Sequence, residues 1–263
     1  MFGEEVCVPD LSTVKLSRVP LRHSALVPSL VAHAVPLPPA PAAVDFFSKV
    51  RAWPEFRNDH LGDCTCAAVG HAIQQWSTYA GTPIVASNTE IEDFYKAVSG
   101  YDGTPETDRG AAQLDVLLYW LSHGALGQTL DAFTTLQLGN RHEMSTAVHW
   151  FGNAIVGLSL PKSADNQPVW TVPPRGPVGS GARGSLGGHV VAIVGYDPDG
   201  MTIVTWGRTM RMTWEFWEAY CVEAYALLSP LWIRPSGVDI AALQADMARL
   251  KAIAPPARVI KPA

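Results

Sequence analysis

The sequence predicts an α+β fold, and three observations carry the prediction. Apolar residues recur at three- and four-residue spacing through several segments between residues 64 and 152, the period of helices. From Ala154 onward the apolar runs become β-branched and aromatic, bounded by glycine, proline or aspartate, as strands are. Pro198-Asp199-Gly200 then joins two of these runs through a hairpin turn, which makes that pair antiparallel. Helices first and antiparallel strands second is an α+β order.

The first helix is expected from Cys64, with Ala68, His71, Ala72, Gln75 and Trp76 on its repeating positions, Asp63 as its N-cap and Gly81-Thr82-Pro83 as its stop. A second spans 88–99, where Ile91, Phe94, Tyr95 and Val98 share a face. A third spans 111–122, with Leu114, Leu117, Leu118 and Leu121 aligned and Gly124 past its end. Residues 142–152 form a short fourth. Strands are expected at 154–160, 189–197, 201–207 and 225–233, with a short helical segment at 214–224. Its aromatics, WEFWEAY, read as core under the sheet. The glycine- and proline-rich loop 161–187 is long enough to be functional or mobile.

The ends differ in character. Residues 1–44 are extended and proline-rich, an arm in polyproline-like conformation. The globular domain covers 45–235. Residues 236–263 comprise an amphipathic helix, with Ile240, Leu243, Met247 and Leu250 on one face, and a proline-rich tail.

Composition limits the function. Hydrophobic residues make up 48% of the 263 and charged residues 16%, the balance of a compact globular chain. A net charge of −5 offers no basic footprint for nucleic acid. The opening MFGEEVCVPDLSTVKLSRV is acidic first and lacks the apolar run of a secretory signal, and no stretch reaches the roughly eighteen apolar residues of a membrane span. A cytoplasmic or virion location without membrane contact is the expectation. Four cysteines in a chain of this length are not a disulfide framework, and Cys64 and Cys66 are too close to pair without strain.

Cys64 stands at a helix start, where unpaired N–H groups and the helix dipole favour a thiolate and can hold an oxyanion. Gly187-Gly188-His189 opens an apolar strand, and a rigidly held histidine can take a thiol proton. The two side chains are expected within hydrogen-bond reach, directly or through one water. Other readings stand beside this one. Cys64 can be a small buried hydrophobe and His189 a bonded sheet residue. His60, Cys64, Cys66 and His71 lie close in sequence, but the cysteine spacing is tighter than zinc sites use. Asp102, Glu106 and Asp108 read as a solvated turn, lacking the alternating oxygens of a calcium loop.

Three blocks of the chain resemble the papain-like cysteine peptidases. In that family a glutamine stands six residues before the nucleophile and a glycine two before it; Asn58, Gly62 and Cys64 occupy those places. The family histidine opens a strand similar to His189-Val190-Val191-Ala192-Ile193-Val194-Gly195-Tyr196, and its Asn-Ser-Trp-Gly block is matched by Val204-Thr205-Trp206-Gly207. The wording Leu-Gly-Asp-Cys-Thr also resembles a group of uncharacterised phage and prophage proteins. The resemblance implies a papain-like fold, in which a central helix bearing Cys64 packs on an antiparallel β half bearing His189. It further implies hydrolysis of a peptide or isopeptide amide, with Cys64 as nucleophile, His189 as base and then acid, and no metal or organic cofactor. Asn58 and the Cys64 N–H would form the oxyanion hole, and Thr205 would orient the histidine in place of the family's asparagine. The chain departs from the family at Asn58, at Asp63, at Thr65 where an aromatic is usual, and at Val204-Thr205. The missing asparagine, Asp63 and the long arms favour a second class: an inactive papain-like structural or adaptor module, such as a phage virion component, with the arm and C-terminal helix contacting partner proteins.

Overall fold

The computed structural model describes residues 39–232, with residues 11, 14–16, 18, 19 and 29 ahead of them and residues 245 and 248 after. The helix expected over 238–250 and most of the arm lie outside the described residues. Among the described residues no helix is long and apolar enough to cross a membrane.

Among the described residues four helices precede most of the sheet: α1 (Cys64–Tyr79), α2 (Asn88–Ser99), α3 (Gln113–His123) and α4 (Arg141–Phe151). Short strands β1 (Val44–Asp45) and β2 (Ala132–Thr135) lie among them. Then come β3 (Ala154–Leu160), β4 (Val169–Trp170), β5 (Gly187–Asp197), β6 (Gly200–Thr205), β7 (Arg208–Thr213), the helix α5 (Trp214–Tyr220) and β8 (Cys221–Leu228). The sheet order is β2-β8-β3-β5-β6-β7-β4, with β1 pairing β5; only the β4–β7 pair is parallel. The result is the expected α+β architecture.

α1 is the buried centre of the helical half. Every residue from Cys64 to Ser77 is buried, because one side packs on β5 and β6 and the other receives α2 and α3. Gly70 lets that crossing close: a methyl there would lie 2.8 Å from Ile91 and 2.9 Å from Phe56. Two polar side chains of α1 are paired inside, Trp76 donating to the Phe151 carbonyl at 2.8 Å and Gln75 accepting from Asn153 at 2.9 Å.

Several local expectations need correction. Asp63 occupies the N-cap position of α1 but its carboxylate makes no cap hydrogen bond, because it turns to Asn58 instead. α2 carries a full capping box from Ser87 and Glu90. The last strand begins at Cys221, not Tyr225, and ends at Leu228; α5 stops at Tyr220. β7 escaped sequence reading because its Arg-Thr-Met-Arg-Met-Thr run lacks β-branched apolar residues, although it pairs with β6 along its whole length. The 161–187 loop is anchored: Trp170 is fully buried between Trp206 and Phe216, and the Tyr220 hydroxyl donates to the Gly181 carbonyl. Asp108 is not solvated. It is buried and accepts from the Tyr95 hydroxyl at 2.6 Å, the Gly62 N–H at 3.0 Å and Lys15.

The described arm residues lie on the domain. Leu11 is buried and its N–H donates to Asp165, the Lys15 N–H donates to the Asp59 carbonyl, and the Arg18 N–H donates to the Gly188 carbonyl. Val19 and Ser29 form parallel bridges to Ala112 and Thr135. Lys15 and Arg18 therefore tie the arm to the loop before α1 and to the start of β5.

Candidate active site

The loop 57–63 delivers Cys64 to the first position of α1. It is held by Asp108, whose carboxylate accepts from the Gly62 N–H two residues ahead of the cysteine. The thiol is 1% exposed and lies against the main chain of β5, where the Val190 N–H faces it. Burial pushes the thiol up to about 12; the Val190 N–H, Arg18 and the Thr65 N–H pull the other way, while Asp63 adds to the rise. Cys66 lies two residues on, fully buried, and burial pushes its thiol well above the usual range too.

His189 is the third residue of β5, and its partner across β3 is Leu158. It is fully buried. Its Nε2 lies 2.7 Å from the Thr205 hydroxyl at the end of β6. Its ring stacks on Trp206, centroids 4.4 Å apart and planes 14° apart. The stacking depends on a turn. Trp206 and Gly207 are the two central residues of the β6–β7 hairpin, with φ of +46° and +72°, so a tryptophan sits in the left-handed region. Such a conformation is strained by about 1–3 kcal/mol, and here it sets the indole flat over the imidazole. Nδ1 of His189 is buried and has no hydrogen-bond partner among the described residues. Burial alone drives the imidazole down to about 3, so the ring is neutral near pH 7.

The fold thus brings Cys64 and the start of β5 together, with Val190, the neighbour of His189, touching the thiol. No hydrogen bond joins Cys64 to His189, since Nδ1 has no partner. Asn58 lies on the cysteine side, buried, but its amide donates to Asp63 Oδ1 at 2.9 Å and, at 3.4 Å, to the Leu61 carbonyl. Asp63 is buried too, and burial lifts its carboxyl to about 8, against the pull of Asn58. Asp63 therefore holds its proton at neutral pH, and the charge that would oppose a thiolate is absent below that value.

His71 of the four-residue zinc alternative is committed elsewhere: its Nε2 meets the Pro54 carbonyl at 2.8 Å, and Trp53 and Phe56 pack against its ring. His60 is exposed and pairs with Asp59.

Sequence reasoning missed two acids. Asp108 was hidden in a loop whose composition suggests solvent. Glu223 lies inside an apolar strand; it is buried and pairs with Arg18. It fell in the segment read as helical, WEFWEAYCVEA, and became a strand residue only because β8 begins at Cys221.

No family profile and no curated protein sequence matches the chain. Its fold does match solved structures. Xylellain, a cysteine protease from Xylella fastidiosa, superposes with a TM-score of 0.62 at 14% identity, over 82% of this chain and 97% of that one. Digestive procathepsin L 3 of Tenebrio molitor larval midgut gives 0.55 at 15% identity, over 83% and 77%. The bromelain protease from Ananas comosus, solved with the E64 inhibitor, gives 0.52 at 12% identity, over 72% and 99%. With the α1–β5 arrangement and the antiparallel-dominated sheet, these likenesses show that the chain has the fold of the papain-like cysteine proteases.

Proposed function

We propose that the chain is a thiol hydrolase acting on a peptide or isopeptide amide. The observation that carries this reading is the state of His189: one ring nitrogen tied to Thr205, the other buried and unpartnered, on the residue preceding the amide that faces the Cys64 thiol. In this reading the Cys64 proton passes to Nδ1 and the thiolate attacks the carbonyl carbon. The Cys64 N–H, at the free end of α1, and the Asn58 amide donate to the oxyanion, Asn58 giving up its bond to the Leu61 carbonyl to do so. The imidazolium then protonates the leaving amine, and water hydrolyses the thioester with His189 as base. Thr205 orients the ring throughout.

The second reading is an inactive papain-like module in a larger assembly, such as a phage particle, using the arm and C-terminal helix as contacts. It is favoured by the burial of both Cys64 and His189, without a hydrogen bond between them, and by Arg18 lying along the start of β5.

Alkylation with iodoacetamide, read by peptide mass spectrometry, separates the two. The hydrolase reading expects Cys64 in an Arg18→Glu chain, where Glu223 repels the segment at residue 18, to react at least about tenfold faster than Cys66 and Cys221, and expects His189→Ala to remove that advantage. Equal rates for the three thiols would leave the module.

A further inference from the structure

Asp63 stands at the N-cap of α1 but does not cap it. The N–H of Cys66, which a capping carboxylate would engage, donates instead to the Asp63 carbonyl at 2.8 Å. The side chain is therefore free for another task, and it is fully buried. Its Oδ1 accepts from the Asn58 amide at 2.9 Å. Its Oδ2 is sealed from solvent and has no partner among the described residues. The charges that bear on the group, Asp108 and Asp59, are both negative.

Such surroundings make a carboxylic acid, not a carboxylate. Burial first, and then the two negative neighbours, lift the group to about 8, against the pull of Asn58 and of its own N–H. The polar groups near it come from three elements. The loop before α1 gives Asn58 and Asp59, α1 gives the Cys64 and Cys66 thiols, and the loop before α3 gives Asp108 with its partner Lys15. Because Oδ1 receives the Asn58 N–H, the proton sits on Oδ2. A buried O–H with no acceptor is costly, and this one is held beside the nucleophile, close enough that its charge would raise both thiols.

We infer that Asp63 is a catalytic residue, whose carboxylic acid donates from Oδ2 to the oxyanion formed when Cys64 attacks a carbonyl. The inference rests on the hydrolase reading and adds a donor to it. As the C–S bond forms, the carbonyl π electrons move to oxygen, which accepts from the Cys64 N–H and the Asp63 hydroxyl; the thiol proton has passed to Nδ1 of His189. When the C–N bond breaks, those electrons return and the amine takes the imidazolium proton. Asp63 keeps its own proton throughout. Asn58 fixes Oδ1 with one N–H, and its other N–H is the one assigned to the oxyanion above. The shorter amide and the acid before the cysteine, two departures from the family pattern, then work as one unit.

The test uses the full chain carrying Arg18→Glu as the parent, with quenched fluorescent casein to read amide cleavage and iodoacetamide to read the thiol. Alkylation displaces iodide at a saturated carbon and builds no oxyanion, so it reports the thiol without the donor. Near pH 6, Asp63→Ala should lower kcat about 100-fold or more with KM within a few-fold, the usual cost of one oxyanion donor. Its Cys64 should still alkylate within about threefold of the parent rate. Asp63→Asn keeps an acceptor for Asn58 and offers a donor N–H, and should bring kcat back to within about tenfold. The parent kcat should fall as pH rises through about 8, where Asp63 ionises, and Asp63→Asn should lose that fall. If the alanine variant does not melt cooperatively, this pH comparison carries the test by itself. Equal turnover in the parent and Asp63→Ala, alkylation that drops in step with kcat, or an alkaline fall that survives in Asp63→Asn overturns the inference and leaves the hydrolase reading standing. A parent that cleaves nothing overturns it too. Alkylation then judges the wider reading: faster labelling of Cys64 keeps the hydrolase, and equal labelling of the three thiols ends it.

Discussion

The two sides of the candidate site are built on opposite principles. On the sheet side, His189 is fixed by a hydroxyl at 2.7 Å and a stacked indole, and burial keeps it neutral down to about pH 3. On the helix side, Cys64 sits behind Asp63, a buried carboxyl that keeps its proton up to about pH 8 and is hydrogen-bonded to Asn58. The strand side holds its group by hydrogen-bonded register and one strained turn. The helix side holds its group by a loop, whose stability depends on protons and on acids placed far away in sequence. A β-hairpin end sets a side chain's direction locally, whereas a helix N-terminus takes its orientation from whatever anchors the preceding loop.

The contrast has opposite signatures in pH. Unfolded, Asp63 loses its proton near 3.8; folded, it keeps it to about 8. The folded state therefore binds more protons across that window, so Asp63 makes stability fall as pH rises from about 4 to about 8. His189, lowered from 6.5 to about 3, does the reverse: its contribution is lost as pH drops through that range, and His71, lowered to about 4, adds to it. The largest expected effect follows. Asp63→Asn should stabilise the chain by a few kcal/mol at pH 8 and by almost nothing at pH 4. Urea unfolding across pH measures it, and a difference that does not grow with pH would erase the distinction between the two sides.

The next effect is on the sheet side. Thr205→Val removes the hydroxyl bonded to Nε2, and turnover of a reporter amide should fall by about one to two powers of ten without loss of the cooperative melt. Thr205→Asn should keep or raise turnover. If valine at this position leaves the rate unchanged, the ring is positioned by Trp206 and burial alone.

The smallest effect is at a distance. Asp108→Asn keeps one acceptor oxygen but loses the charge facing Lys15, and should cost about 1 kcal/mol of stability. Because Asp108 holds Gly62, the same change should lower kcat more than it raises KM, through a looser Cys64. A variant that shifts only the melting temperature would show that the loop finds its place without this anchor.

Most of the elements could be read from the chain. α2 is bounded by a capping box and Gly100, and α1 by Gly81, so local chemistry marks their ends. β3 and the β5–β6 hairpin announce themselves as apolar runs around Pro198-Asp199. β7 did not, because alternate exposure lets arginine and threonine take its outer positions while Met210 and Met212 pack inward. The same limit applies to the site. His189, Cys64 and Thr205 were nameable because each stands in a block with its own pattern.

What sequence alone determined, then, was the order of the elements and the identity of the groups at Cys64, His189 and Thr205, since periodicity and turn residues act over a few positions. The tertiary structure decided what surrounds them. It buried Asp63 so that it stays protonated, turned Asn58 toward it, and brought Asp108 under Gly62 from 46 positions away. It also set Arg18 against Glu223, across 205 positions of chain. Those outcomes depend on sheet register and on which groups lose water together, and neither is written in any local stretch of residues.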